Sequence, residues 1–320
     1  MLYLNEGDLR RIGIEWEALA DTLEETVRLM DAGDYAQPIK PYLRYRDPVN
    51  RIIAMPAYIG GRFEIAGIKW IASFPGNLRR GLPRAHSVAV LNDAGTGEPV
   101  AIVNTALLSV VRTASVSALF LRHYLRSRPG GGLTVGIIGW GPIGRHHYRM
   151  CMDLYGERIE KVYLYDLNGI DLETIAPEER AKVTVASGWQ DVYDRSDLFL
   201  TCTVSEQRYV DAAPKPGRLL LHVSLRDYLP EALQGIGAII VDDWDEVCRD
   251  GTDIEQLHKQ YGLRAQDTLS LRDVVCRDAL GKVQAEEPVL FSPMGLAAFD
   301  IATADYYVRR AQAAGIGTRL

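Results

Sequence analysis

The chain has few cysteines and no arrangement of them that metal or disulfide chemistry would use. Cys151, Cys202, Cys248 and Cys276 are far apart in 320 residues, with no C-x-x-C pair and no ligand spacing. That excludes a disulfide scaffold and a cysteine metal site, and four free thiols fit a reducing cytoplasm. Long apolar runs are also lacking, since no stretch approaches the ~18 residues of a membrane span. The segment from Met1 to Asp8 has no basic region followed by an apolar one, so no leader is expected. No basic run or aromatic-interleaved basic patch accompanies the net charge of -6, which argues against nucleic acid as a partner. No pair among the six histidines has metal spacing, so no structural or catalytic metal is expected. Internal repeats and low-complexity segments are absent. The remainder, 47% hydrophobic and 24% charged, is ordinary for a globular protein, and the length suggests about two domains with small molecules as partners.

The most informative stretch runs from Leu133 through Gly139, Trp140, Gly141, Pro142 and Ile143 to Gly144. An apolar strand feeding G-x-G-x-x-G and then a helix aims backbone N–H groups and a positive helix end at a pyrophosphate. Gly139 permits the tight turn, Gly141 lets phosphates approach, and Gly144 lets the helix pack on the strand. A second apolar run, Ile159 to Tyr165, ends at Asp166, 22 positions after Gly144. An acid roughly 20 residues on binds the adenosine ribose 2′-OH and repels a 2′-phosphate, which favours NAD over NADP.

Before this motif the chain does not read as Rossmann units. Trp16, Leu19, Ala20, Leu23, Val27 and Met30 recur with helical spacing and stop near Gly33. Short strand-like segments follow at 42–46, 51–55, 63–72, 87–92 and 99–104, with a hairpin loop over 93–97, so a small antiparallel sheet or barrel is predicted. A helix is predicted from a Thr105 N-cap to about Leu125, and Arg128-Pro-Gly-Gly-Gly132 marks a boundary. Six apolar segments then alternate with helical ones, at 133–138, 159–165, 182–185, 198–201, 219–223 and 238–241. The predicted class is α/β, a Rossmann doubly wound parallel sheet plus an α+β domain. The segment from Gly295 to Ala314 reads as a helix with Leu296, Phe299, Ala302 and Tyr306 spaced for burial.

Several polar residues fall where neither sheet nor helix needs them. Lys69 lies in a nearly all-apolar strand, so its ammonium either reaches a partner or ligand or snorkels from an edge strand. Arg112 lies in a helix of small and apolar residues and Arg44 in a short strand. With Lys69 they would clamp a carboxylate, the competing reading being surface salt bridges. Arg46 shares the side of Arg44, so spacing alone does not choose between them. Asp227 follows an apolar strand where doubly wound sheets bind ligands, so it is either a base that orients water or an N-cap or Asx-turn residue. His86 is a candidate substrate contact, His146 and His147 are expected near solvent or the phosphates, and His222 is expected as a packed core residue.

At these residues the chain resembles the ornithine cyclodeaminase/mu-crystallin family. The resemblance is carried by Gly67-Ile-Lys69, Pro75-Gly-Asn77, Gly81-Leu-Pro83, Leu91-Asn-Asp93 with Thr96-Gly97, Arg112-Thr-Ala-Ser115, the glycine motif, His222-Val-Ser224 with Asp227, and Gly295-Leu-Ala297 with Asp300. It implies a homodimer in which residues 1–112 and 296–320 form a dimerisation and substrate-binding domain and 113–295 the NAD-binding domain. It also implies that Arg44, Lys69 and Arg112 grip carboxylate, that Asp227 sits beside the reacting carbon, that Gly295 belongs with the cofactor contacts, and that hydride moves at a carbon bearing nitrogen. Where ornithine cyclodeaminases usually carry Asn and then Gly-Gly-Asp, this chain has Ser224 and then Leu225-Arg226-Asp227. The string Val241-Asp-Asp-Trp-Asp-Glu246, continuing to Asp253-Ile-Glu-Gln-Leu-His258, resembles the branch that makes 2,3-diaminopropionate. That implies an amino acid substrate with several carboxylates. Cyclodeaminase, alanine-dehydrogenase-like and ketimine-reductase activities, and a non-catalytic NAD-binding role, stay open at this level.

Overall fold

A computed structural model describes all 320 residues. They separate into two compact units, Met1–Leu119 with Gly295–Leu320, and Phe120–Met294.

The first unit is built on an eight-stranded sheet. Its middle strands, Arg51–Ile59, Ile65–Ser73, Ala85–Asp93 and Pro99–Asn104, pair antiparallel in sequence order. Leu2–Asn5 joins Pro99–Asn104 in parallel, so the sheet is mixed where sequence patterning predicts a purely antiparallel one. Alternation sends Met55, Ala57, Ile59, Lys69, Ala89 and Leu91 to one buried face. The helix Ala297–Ala314 packs on that face, with Trp16–Ala32 beside it. Residues of the other parity, among them Pro56, Ile68, Trp70, Val88 and Val90, stay partly exposed.

The predicted strand over 42–46 is only Tyr42–Leu43, because Arg46 takes a left-handed φ of 56° that breaks the alternation with Arg44. The helix expected from Thr105 begins at Leu107, whose N–H donates to the Thr105 hydroxyl. Tyr306 is only partly buried, while Phe299 and Ala302 are fully packed.

The second unit carries a parallel sheet of eight strands. In spatial order they are Val183–Val185, Ile159–Tyr165, Leu133–Ile138, Leu198–Thr201, Leu219–His222, Val289–Ser292, Ala238–Val241 and Leu269–Ser270. This is the doubly wound arrangement, with the order reversing beside Leu133–Ile138, where such sheets bind ligands at the strands' carboxyl ends. Patterning predicts six strands, and the two it misses are Val289–Ser292 and Leu269–Ser270. Val289–Ser292 inserts between Leu219–His222 and Ala238–Val241 and is buried at every position. No helix in either unit is long and apolar enough to cross a membrane.

Candidate active site

In the second unit the strand Leu133–Ile138 ends at Gly139, whose φ of 94° is open to glycine but strained for other residues. A Cβ there would lie 2.6 Å from the Cys202 carbonyl oxygen, and one on Gly144 would overlap the carbonyl oxygen of Gly139. Turn, helix and neighbouring strand therefore approach more closely than any side chain permits. Gly141 caps the helix Pro142–Tyr155 without a side chain, and Pro142 contributes no N–H at the first helical position. Nothing lies within 4 Å of a Cβ built on Gly141, so the face over the first-turn N–H groups is open. Those groups and the positive helix end suit a phosphate.

Asp166 braces this turn. Its Oδ2 accepts the Trp140 N–H at 2.6 Å and its Oδ1 accepts the Asn168 N–H at 2.8 Å. The carboxylate keeps acceptor capacity for a ribose hydroxyl, so turn and acid together fit a dinucleotide. Ile143 contributes its carbonyl to the His147 Nδ1 at 2.9 Å. His147 is fully buried, contrary to the solvent-facing alternative expected from sequence, and burial drives its pKa down to about 4. It is a neutral core residue.

Asp227 lies in the segment after Leu219–His222, where Leu225 holds a left-handed φ of 71°. That turn is pinned from the helix Asp253–Tyr261, since the Asp253 N–H donates to the Leu225 carbonyl at 2.9 Å. The Asp253 Oδ2 in turn accepts the N–H groups of Asp227 and Tyr228, at 2.9 and 2.8 Å. Asp227 is fully buried and accepts hydroxyl hydrogens from Thr203 and Ser224. It is therefore not the capping residue of a following helix. His222, buried as expected, is also charge-paired: its Nε2 lies 3.4 Å from Asp227 Oδ2 and 3.1 Å from Asp253 Oδ2. Burial alone would lower the His222 pKa, but Asp253 and Asp227 outweigh it and raise it to about 9. Burial alone would raise that of Asp227, but His222, Ser224 and Thr203 hold it below the usual carboxylate value.

In the first unit Lys69 occupies the interior strand Ile65–Ser73 and is 1% exposed, so it does not snorkel. Its Nζ lies 2.8 Å from Asp300 Oδ1, and the same oxygen accepts the Arg112 Nε–H at 2.7 Å. The other oxygen, Oδ2, is buried without a hydrogen-bond partner. The Arg112 bridge is thus a buried one and not a surface one. Lys40, also buried, donates to the Gly295 carbonyl at 2.7 Å, and a Cβ on Gly295 would overlap Arg112 Nη1. Burial lowers the Lys69 pKa to about 7 against the pull of Asp300, with Arg112 and Lys40 adding to the fall. For Asp300 burial works upward, and the charges of Arg112 and Lys69 overcome it and hold the carboxyl low.

The residues singled out from sequence thus gather in part. Lys69, Arg112 and Gly295 meet around Asp300, while Arg44 lies at the surface, its guanidinium over the Tyr42 ring along with that of Arg51. His86 pairs in register with Ala72 and so projects to the sheet face opposite Lys69. Asp300, Lys40, Thr203 and Asp253 were not singled out as site residues. Asp300 had a readable signal, the one acid in the otherwise apolar run from Leu296 to Ala302.

Fold and charged clusters define an oxidoreductase of the dinucleotide-binding class. The model of the ornithine cyclodeaminase/mu-crystallin family matches residues 11–315, and the chain belongs to that family. It is similar along its whole length to N-((2S)-2-amino-2-carboxyethyl)-L-glutamate dehydrogenase of Staphylococcus aureus, with 34% identity over 343 aligned residues covering 100% of this chain and 98% of the relative. Among solved structures it is similar to Thermococcus litoralis Δ1-pyrroline-2-carboxylate reductase in complex with NADH and L-proline, at a TM-score of 0.89 and 22% identity, covering 100% of both chains. An archaeal alanine dehydrogenase dimer with bound NAD superposes at a TM-score of 0.87 and 23% identity, covering 100% of this chain and 98% of that one. At such identities these two structures speak for the fold.

Proposed function

We propose that this NAD-dependent oxidoreductase oxidises N-(2-amino-2-carboxyethyl)-L-glutamate at the glutamate Cα and hydrolyses the resulting ketimine to 2-oxoglutarate and L-2,3-diaminopropionate. The observation that carries this reading is the charge balance around Asp300, where Lys69 and Arg112 share one carboxylate and the charge of Lys40 acts on Lys69. A substrate with three carboxylates needs such a surplus of buried positive charge, and a small neutral or cationic one does not. The full-length similarity to the staphylococcal enzyme supports the same substrate. So does the Ser224-Leu-Arg-Asp227 segment, which departs from the cyclodeaminase pattern.

When bound, NAD supplies the hydride acceptor. Lys69 and Arg112 hold substrate carboxylate, with Arg44 as a further contact, whereas His86, on the opposite sheet face, is not one. Gly139, Gly141, Pro142, Ile143, Gly144 and Asp166, together with Gly295, hold the cofactor. Asp227 takes the amine proton as the Cα–H bond breaks and C=N forms, then orients the water that adds to that carbon. Cleavage of the C–N bond completes the sequence, and Lys69, poised near neutrality, delivers from Nζ the proton that the departing amine takes up. Incubation with NAD and the secondary amine, followed by mass spectrometry, tests this. Equal amounts of NADH, 2-oxoglutarate and diaminopropionate are expected. Turnover of ornithine without net NADH would replace the reading with cyclodeamination.

The assembly proposed is a homodimer through the first unit. The support is the sheet face bearing Ile68, Trp70, Val88 and Val90, which is apolar and partly exposed. Ile68→Glu is expected to give a monomer in sedimentation velocity, and an unchanged dimer would place the interface elsewhere.

A further inference from the structure

We propose that His222 is a positioning residue which, as an imidazolium held between Asp227 and Asp253, keeps the Asp227 carboxylate ionised and fixed in place. This rests on the reading of Asp227 as the base. Sequence patterning leaves His222 as core filler, and position alone would support that, since it is fully buried at the end of an interior strand.

Its surroundings are unlike those of core filler. A histidine buried for packing is neutral, and carboxylates are not placed against it. Here two fully buried carboxylates meet the same ring nitrogen, at 3.4 and 3.1 Å. Two ionised carboxylates so close to each other need a cation between them. Arg208 serves Asp253 only, donating from Nε to Oδ1 at 2.6 Å and from Nη2 to the Gly251 carbonyl at 2.6 Å. The cation available to Asp227 is therefore His222. Neither ring nitrogen meets hydrogen-bond geometry, and the hydroxyl of Thr201, in register with His222 on the next strand, makes no hydrogen bond either, so the ring is held by charge, with both carboxylates on its Nε2 side.

The remaining groups around the pair do not carry positive charge. The Tyr228 ring stands edge-on to the imidazole with centroids 4.8 Å apart, and burial first, then the nearby tyrosine and aspartate charges, keep its hydroxyl protonated. Tyr209 and the Cys202 thiol, both influenced by Asp227, are likewise held neutral mainly by burial. Thr203 and Ser224 donate neutral hydrogen bonds. Asp253 also joins the two parts mechanically, since the oxygen that faces His222 accepts the backbone N–H groups of Asp227 and Tyr228. Charge and backbone position of the base are thus set by one contact.

Two measurements on the full-length, NAD-bound protein test this. Nitrogen NMR of the His222 ring across pH 6 to 11 is expected to report an imidazolium at pH 7 that titrates near 9. A ring neutral at pH 7 overturns the proposal. In the second, His222→Gln is expected to move the acidic limb of the kcat/KM profile upward by about one unit or more, a roughly tenfold loss at the foot of that limb, with NAD affinity unchanged. The variant and the parent should converge above the His222 pKa. An unmoved limb, or an equal loss at every pH with a lowered melting midpoint, means a structural role and overturns the proposal. Asp227→Asn separates the two layers of argument: full turnover in that variant removes the base assignment and this proposal with it. An inactive Asp227→Asn beside a neutral His222 removes only the positioning role.

Discussion

Each unit of the chain buries a charged cluster built on a shared atom or ring, and the two clusters have opposite balances. In the first unit Asp300 stands between Lys69 and Arg112, with the charge of Lys40 acting on Lys69, and cations outnumber the carboxylate. In the second His222 stands between Asp227 and Asp253, with Arg208 on the far side of Asp253. The first arrangement has positive charge left over to receive an anionic ligand. The second has a carboxylate whose charge is just compensated, with its lone pairs directed by two hydroxyls, which suits a base. Similar residue types under similar burial therefore serve different chemistry through which sign is in excess.

The comparison is broken most severely by removing the base. Asp227→Asn should lower kcat by about 10²- to 10⁴-fold, the range typical of general acid–base groups, while NAD affinity measured by fluorescence titration stays within about twofold. The corresponding change in the other cluster acts on stability. Asp300→Asn leaves two buried cations without their common partner, and urea denaturation at pH 6 should show a loss of about 3–5 kcal/mol. That loss should shrink at pH 9, where Lys69 gives up its proton. If the two variants had interchangeable effects, the distinction between a receptor and a base would not stand.

A smaller effect sharpens the comparison through pH. Lys69 releases its proton near pH 7 in the native state and near 10.5 when unfolded, so the unfolded chain binds more protons between these values. Its contribution therefore makes unfolding free energy rise with pH across that window. His222 works in the opposite direction, because the native state holds a proton from the ordinary imidazole value of 6.5 up to about 9, and its contribution is lost as pH rises through that range. Lys69→Met should remove the rise, and denaturation curves from pH 7 to 10 will detect it. The smallest effect leaves both clusters intact. Asp166→Ala should weaken NAD about tenfold and relax discrimination against NADP, read from paired binding titrations. An unaltered preference would mean that Asp166 serves only to brace the Trp140 N–H.

Much of the second unit was legible without coordinates. The strands Leu133–Ile138, Ile159–Tyr165, Leu198–Thr201 and Ala238–Val241 fall where apolar runs predict them. Val289–Ser292 escaped because it is four residues long, buried on both faces and closed between Pro288 and Pro293, leaving no alternation to read. In the first unit the oddness of Lys69 was visible, since an ammonium in an apolar strand requires an explanation. Its explanation was not, because Asp300 comes from the last helix, 188 positions beyond Arg112. Nothing local to Lys40, between Ile39 and Pro41, marks it as buried, and His222 looked like any residue closing an apolar strand.

The sequence by itself determined the dinucleotide turn and the acid behind it. Each glycine there answers to neighbours a few positions away, and a backbone that must turn, stay open and pack closely has few residues to choose from. The tertiary structure alone decided which charges face one another and which sign is left over. Electrostatic energy depends on distance and burial, and both are set by residues that the folded sheet brings together from far apart in the chain.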